Sequence, residues 1–166
     1  MPADPLAIYV NDHLAGSIAG LNLMDALSER AASTPLGAQL RELAEEVRED
    51  QQLLRDILDR AKAGERRLAQ AAAWVTEKAT EGRLALTGRT HPHLELLEAL
   101  ESLALGLQGK LALFRALAEL EPHDPRLSGL PLAARAARTE AQHAMIEHER
   151  IAAAREAFGA APAERV

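Results

Sequence analysis

One apolar stripe in the first half of the chain constrains the fold most strongly. Its members recur at alternating spacings of mostly four and three residues, the period of one helix face: Leu36, Leu40, Leu43, Val47, Leu54, Ile57 and Ala61. Position 50 completes this series, and it carries an aspartate. A charge removed from water is costly unless it is paired or ligated. Asp50 therefore predicts a salt-bridged polar layer, a metal ligand or a binding site inside a helical protein.

The composition limits how such a core can be filled. Apolar residues make up 48% of the 166 residues, but aromatic residues only 2%, so leucine and alanine must supply most of the core. Small and unbranched apolar side chains suit helices packed side by side, and the length suits one domain. We expect an all-α fold, with a single helical-bundle domain over residues 1–158 and a frayed tail over 159–166.

Charge and residue usage exclude several functions. The formal net charge of -6 disfavours a broad nucleic-acid-binding surface, which needs a basic face. The absence of cysteine excludes disulfides, thiolate metal sites and thiol catalysis. No run reaches about 18 uninterrupted apolar residues, so we expect a cytoplasmic protein that does not enter membranes. Self-association through a helical face is the expected partner interaction, which would make the protein a homo-oligomer.

Turn and capping signals divide the chain into helices. Asp4 and Thr34 each precede a proline, which is typical of a helix start. Four long helices are predicted, over roughly residues 5–32, 35–63, 93–120 and a last stretch ending near 158. A shorter amphipathic stretch, roughly 65–84, joins the second and third helices. The chain therefore predicts a four-helix bundle with a helical crossover.

The crossover decides the order of the helices. At about 1.5 Å per residue it spans much of the length of a bundle, and would return the chain so that helix 3 begins beside the start of helix 2. This is a ferritin-like four-helix bundle. An up-down-up-down bundle with an appended helix is the competing topology.

Counting residues from the turns predicts one polar layer at mid-bundle. His13 and Asp50 lie at similar distances from the first turn, and Lys110 falls near the same level if helix 3 starts beside helix 2. On helix 4 the corresponding stretch includes Glu140, His143, Glu147 and His148. The predicted buried polar layer consists of His13, Asp50, Lys110 and Glu147.

A metal site is the alternative interpretation of this layer. Glu140 and His143 form an E-x-x-H pattern, which in di-metal bundles supplies a carboxylate and an imidazole from one helix. The alternative therefore places iron or manganese at Glu140, His143 and Glu147. Helix 2 lacks a second E-x-x-H, and Lys110 stands where a carboxylate ligand is wanted, so the main interpretation assigns no metal and no other cofactor.

The glycines near the predicted polar layer can be interpreted in two ways. Gly16 and Gly20 are one turn apart on helix 1, and Gly106 and Gly109 precede Lys110 on helix 3. Glycine allows a neighbouring backbone or a bulky side chain to approach closely. The same residues also hint at space beside the polar layer.

Several segments together resemble an uncharacterised family of small bacterial helical proteins. The segments are Asn11-Asp12-His13-Leu14-Ala15-Gly16, Glu49-Asp50 with Leu53-Leu54, Ala73-Trp74-Val75 with Glu77-Lys78, and Glu95–Glu101 leading to Gly109-Lys110. That family is similar in architecture to the ferritin-like superfamily. The resemblance implies the fold and supplies no activity.

The sequence favours a non-enzymatic bundle protein. We expect its polar layer to be structural or to bind a small ligand, with no catalytic residue assigned. The alternative function is a carboxylate-bridged di-iron or di-manganese oxidase, or a metal-storage protein.

Overall fold

The computed structural model describes residues 4–61 and 91–159, and these residues form four long helices. We name them α1 (Pro5–Arg30), α2 (Pro35–Arg60), α3 (Pro92–Leu120) and α4 (Leu132–Ala157). A short 3₁₀ turn, Glu121–His123, follows α3. Within the described residues the protein is all-α. The predicted crossover over 65–84, including Trp74, lies outside them, as does nearly all of the predicted tail.

The first two helices begin where the capping signals predict. The Asp4 side chain accepts a hydrogen bond from the Leu6 backbone N–H at 3.1 Å, and Pro5 occupies the first helical turn. Thr34 plays the same role before Pro35, accepting from Gly37 N–H at 3.4 Å. These side chains satisfy backbone donors that have no partner inside the helix.

Contacts at the helix ends fix the directions of α1, α2 and α3. The Arg126 guanidinium, after α3, bonds to Asp4, and Arg60, at the end of α2, donates to the Arg126 carbonyl at 3.1 Å. At the other end of the bundle Arg30, closing α1, lies 3.2 Å from Glu95, near the start of α3. The start of α1 and the ends of α2 and α3 therefore share one end of the bundle. Accordingly α2 and α3 run in the same direction.

The directions of α2 and α3 bear on the two predicted topologies. An up-down-up-down bundle would set α3 antiparallel to α2, whereas here the two are parallel. They are diagonally opposite, with α1 packed on α2 and α3, and α4 packed on α3 and α2. The end of α2 and the start of α3 lie at opposite ends of the bundle. The count of residues from the turns assumed this arrangement.

The core is divided into two apolar halves. One half contains Leu40, Leu100, Leu103 and Ile146, and the other contains Ile57, Phe114, Leu117 and Leu132. On α2 the division falls between Val47 and Leu53, the interval that contains Asp50. A polar layer therefore crosses the bundle at mid-height. None of the four helices within the described residues has an apolar stretch that could span a lipid bilayer.

Candidate functional site

Asp50 is the centre of the polar layer. Its side chain is 3% exposed, and Oδ2 accepts a hydrogen bond from Lys110 Nζ at 2.7 Å. Oδ1 accepts from Arg138 Nη2 at 2.7 Å, with Arg135 Nη1 at 3.3 Å. Helices α2, α3 and α4 each contribute to this arrangement. Three cations thus offset the cost of burying the carboxylate. A buried anion is stable when it is paired and hydrogen-bonded in this way.

Lys110 is held by two acceptors from different helices. Besides Asp50, its ammonium donates to Gln142 Oε1 at 2.6 Å, and the Gln142 amide in turn donates to the Glu46 carboxylate. Burial lowers the pKa of Lys110, and the Asp50 carboxylate opposes that shift. Because the ammonium touches a carboxylate and an amide oxygen, we describe it as the charged partner of an ion pair.

The layer continues to the surface through two arginines. Arg138 Nη1 reaches Glu49 at 2.8 Å, and Arg138 Nη2 also donates to the Glu46 carbonyl at 3.1 Å. Hydrogen bonds from Arg138 and Arg135 lower the pKa of Glu49. Asp50, Glu46 and Glu49 balance Lys110, Arg135 and Arg138, so the network is electrically neutral.

Two predicted members of the layer lie elsewhere. His13 is only partly buried and packs edge-on against the Tyr9 ring, with ring centroids 4.8 Å apart, and does not bond to Asp50. Glu147 pairs with Arg150 at 2.6 Å on the same helix, and its side chain is 39% exposed. Counting residues from the turns gives the height of a residue in the bundle, but it does not determine which way the side chain faces.

The residues of the metal alternative do not converge. Glu140 is exposed and pairs with Arg115 at 3.1 Å, and Glu147 is held by Arg150. Among residues 4–61 and 91–159, no three histidine, aspartate or glutamate side chains come together in a way that could hold a metal ion. Each of these two carboxylates has an arginine partner instead of a second carboxylate.

Sequence reasoning missed Arg138, Arg135 and Gln142. A signal for them exists on α4, because Leu132, Thr139, Ile146 and Ala153 are buried and spaced by seven residues. That heptad sets the inward face, and Gln142 lies three residues after Thr139, beside this face. The E-x-x-H pattern directed attention to Glu140 and Glu147, each one position beyond the inward face.

An open cleft borders the polar layer between α1, α2 and α3. Its volume is about 870 Å³, and apolar side chains form most of its lining, among them Leu23, Met24, Leu103, Leu107 and Phe114. We call this space the α1–α3 cleft. Ligand-binding pockets in proteins typically measure about 300 to 1,000 Å³ and are mainly apolar, so this cleft has the size and character of a ligand site.

Glycines keep the cleft open. Gly16, Gly20, Gly106 and Gly109 all line it, and a Cβ placed on any of them would meet no atom of residues 4–61 and 91–159 within 4 Å. The interpretation that these glycines allow close approach of a neighbouring helix is therefore wrong. They leave room between α1 and α3, as the alternative interpretation anticipated.

Most polar groups in the cleft already have partners. Ser17 donates to the Leu14 carbonyl at 2.6 Å and accepts from Gln51 at 2.9 Å, and Ser102 donates to the Glu98 carbonyl. His13 differs, because within the described residues its ring nitrogens make no hydrogen bond. Its imidazole is the polar group in the lining with free hydrogen-bonding capacity and partial burial.

His13 predicts a pH dependence of stability. Burial lowers its pKa from 6.5, and the nearby Asp12 carboxylate partly offsets this. The unfolded chain therefore binds the His13 proton more tightly, so stability is full above the unfolded-state pKa and falls as the pH drops through it. In urea melts between about pH 7.5 and about pH 5, wild type should lose more unfolding free energy than His13→Gln. Parallel pH profiles for the two proteins would contradict the assignment.

Compared with protein-family models, curated proteins and solved structures, the chain matches none. The resemblance to a small bacterial family receives no support from these comparisons. A function for this chain is therefore inferred from the geometry of the site.

Proposed function

We propose that this protein is a non-enzymatic, ferritin-like helical bundle that binds a small, mainly apolar ligand in the α1–α3 cleft. The observation that carries the proposal is the cleft itself, with about 870 Å³ of space beside four glycines at which an added Cβ would meet no atom of the described residues. Burying apolar ligand surface against leucine side chains supplies the driving force for binding. The parallel arrangement of α2 and α3 supports the ferritin-like part of the proposal.

In this proposal the polar layer forms a wall of the cleft and does no chemistry. Asp50 and Lys110 line the cleft, but each is bonded to partners on other helices. A general base or nucleophile needs an activated group free to meet substrate. The neutral, hydrogen-bonded network instead holds α2, α3 and α4 together at the level of the cleft.

The di-iron or di-manganese alternative has no comparable support. It would need Glu140, His143 and Glu147 to share an ion with carboxylates from other helices. Glu140 and Glu147 are engaged by Arg115 and Arg150, which would have to be displaced. Iron and manganese are therefore not part of the proposed function.

Filling the cleft tests the proposal. Gly16→Leu and Gly106→Leu each place an isobutyl group in the open space, and we expect each to weaken binding of the fluorescent apolar probe N-phenyl-1-naphthylamine at least about tenfold. Gln108→Leu adds the same side chain at an exposed position of α3 outside the cleft. This control should bind the probe as wild type does.

Folding can be separated from binding in the same variants. Replacing a helix-interior glycine by leucine improves helix propensity by up to about 1 kcal/mol, so both cleft-filling variants should melt at or above the wild-type temperature. Loss of probe binding in a more stable protein would then show that the probe binds in the cleft and that the loss is not caused by unfolding. Equal binding by all four proteins, or no saturable binding by wild type, would overturn the proposal.

A further inference from the structure

The shape of the α1–α3 cleft selects for a long ligand. Its lining follows α1 from Tyr9 to Met24, which corresponds to about 20 Å along the helix axis. Because α1 and α3 are antiparallel, Phe114 lies towards the Tyr9 end and Leu103 towards the Met24 end. The Met24 end is walled by leucine, methionine and valine side chains, including Val47. An extended hydrocarbon fits that end.

The charges of the lining disfavour an ionised head group. Lys110 is the one cation among the described lining residues, and Asp50 and Gln142 already hold its ammonium. A carboxylate or phosphate in the cleft would therefore lie near Asp50 and Asp12 without a free cation to balance it. An ammonium group would be repelled by Lys110, and the exposed Asp12 carboxylate would attract it only weakly through solvent.

His13 supplies a partly buried polar contact in the cleft. Its imidazole lines the cleft towards the end opposite Met24 and packs against Tyr9, which fixes one side of the ring. A neutral imidazole offers one donor and one acceptor nitrogen. It can therefore bond a hydroxyl or a carbonyl oxygen without any charge on the ligand.

We propose, building on ligand binding in the α1–α3 cleft as the protein's function, that this ligand is a neutral, elongated lipid-like molecule. Its single hydroxyl or carbonyl group is bonded by His13, and its hydrocarbon chain runs along α1 to Met24. Long-chain alcohols and isoprenoid alcohols or ketones have this chemistry. Fatty acids and cationic amphiphiles do not.

Three ligands with ten carbon atoms each and different head groups test this inference. Decan-1-ol, decanoate and decylammonium are used at pH 7.5 to displace bound N-phenyl-1-naphthylamine from the wild-type protein. We expect decan-1-ol to compete at least about tenfold better than either ion, because an ionised head group would leave water without a partner. Stronger competition by decanoate would point to Lys110 as an anion site, and stronger competition by decylammonium to Asp12. Either result would overturn the inference.

Variants of His13 test the polar contact. His13→Phe should weaken the binding of decan-1-ol about fivefold, which corresponds to the loss of one neutral hydrogen bond. His13→Gln should restore most of the lost affinity. The affinity of N-phenyl-1-naphthylamine is measured directly for each variant, so that the decan-1-ol affinity is corrected for any general change in the cleft. If decan-1-ol affinity is the same in all three proteins, His13 does not bind the head group.

The two proposals fail in different ways. If the fluorescent probe binds and the three ligands displace it equally, the cleft binds apolar molecules and only the inference about the head group is overturned. If wild type does not bind the probe and none of the three ligands gives a saturable calorimetric signal, the proposed function itself is overturned, and the inference with it.

Discussion

Replacing Asp50 by leucine should lower the free energy of unfolding by about 3 to 5 kcal/mol, the usual cost of removing one partner from a buried ion pair. The change leaves the Lys110 ammonium, whose side chain is 11% exposed, with Gln142 as its bonded partner. It also removes a contact from Arg138 and Arg135. Urea denaturation followed by circular dichroism measures the loss.

Replacing Asp50 and replacing Lys110 should not cost the same free energy of unfolding. In Lys110→Met, Asp50 keeps Arg138 at 2.7 Å and Arg135 at 3.3 Å, so we expect a smaller loss than in Asp50→Leu. The double variant should be more stable than the sum of the single losses predicts, because neither charge is left buried alone. Glu49→Gln is the control, since its side chain is 58% exposed and its loss should destabilise the protein much less than the loss of Asp50. Additive losses would show that Asp50 and Lys110 are not coupled.

The second large effect is expected at Gly37, in the first turn of α2. A Cβ at this position would stand 2.2 Å from the Ala31 carbonyl oxygen and 3.2 Å from the Ala32 Cα atom. The Ala31 oxygen cannot easily move, because it accepts from the Thr34 backbone N–H at 2.9 Å and from Thr34 Oγ1 at 2.8 Å. Gly37→Ala should therefore cost about 3 kcal/mol through the clash and the damaged cap.

Gly16→Ala is the matched control for this variant. The substitution is the same, but a Cβ at Gly16 meets no atom of the described part of the chain within 4 Å, so improved helix propensity should raise stability by about 0.5 to 1 kcal/mol. Thermal and urea melts of the two variants should thus move in opposite directions. A Gly37→Ala protein as stable as wild type would mean that the turn between α1 and α2 is not packed as described.

Much of the bundle could be predicted because its signals are local. Asp4 and Thr34 before prolines marked the starts of α1 and α2, and the stripe around Asp50 marked the inward face of α2. Counting residues from the turns then brought Lys110 to the level of Asp50, where the two side chains are in contact. Each step used only the rise of a helix and the spacing of apolar residues.

The rest of the layer depends on helix rotation, which counting does not determine. A helix advances about 100° per residue, so an error of one position turns a side chain from the core to its edge. On α4 this error placed the predicted Glu147 one position beyond the buried Ile146, whereas Gln142 is buried and bonded to Lys110. On α1 it separated His13 from Asp50. The E-x-x-H pattern strengthened the error, because it suggested a metal site at Glu140 and His143 that the packing of the helices does not form.

The cleft could not have been predicted from the glycines alone. Glycine in a helix serves close packing and open space equally well in sequence, and only the distance between α1 and α3 decides between them. Here a Cβ on Gly20 or Gly109 would meet no atom of residues 4–61 and 91–159, although both helices belong to the same bundle. The separation of two helices depends on all the side chains between them, so it cannot be predicted from a short motif.

The most direct test of ligand binding in the α1–α3 cleft is a crystal structure with 10-bromodecan-1-ol, in which the anomalous signal of bromine locates the end of the chain. We predict a bromine peak in the cleft near Met24 and Leu103, with the hydroxyl group within hydrogen-bond distance of a His13 ring nitrogen. A bromine peak outside the cleft, or a cleft filled by other residues of this chain with no ligand density, would contradict both the proposed function and the proposed ligand.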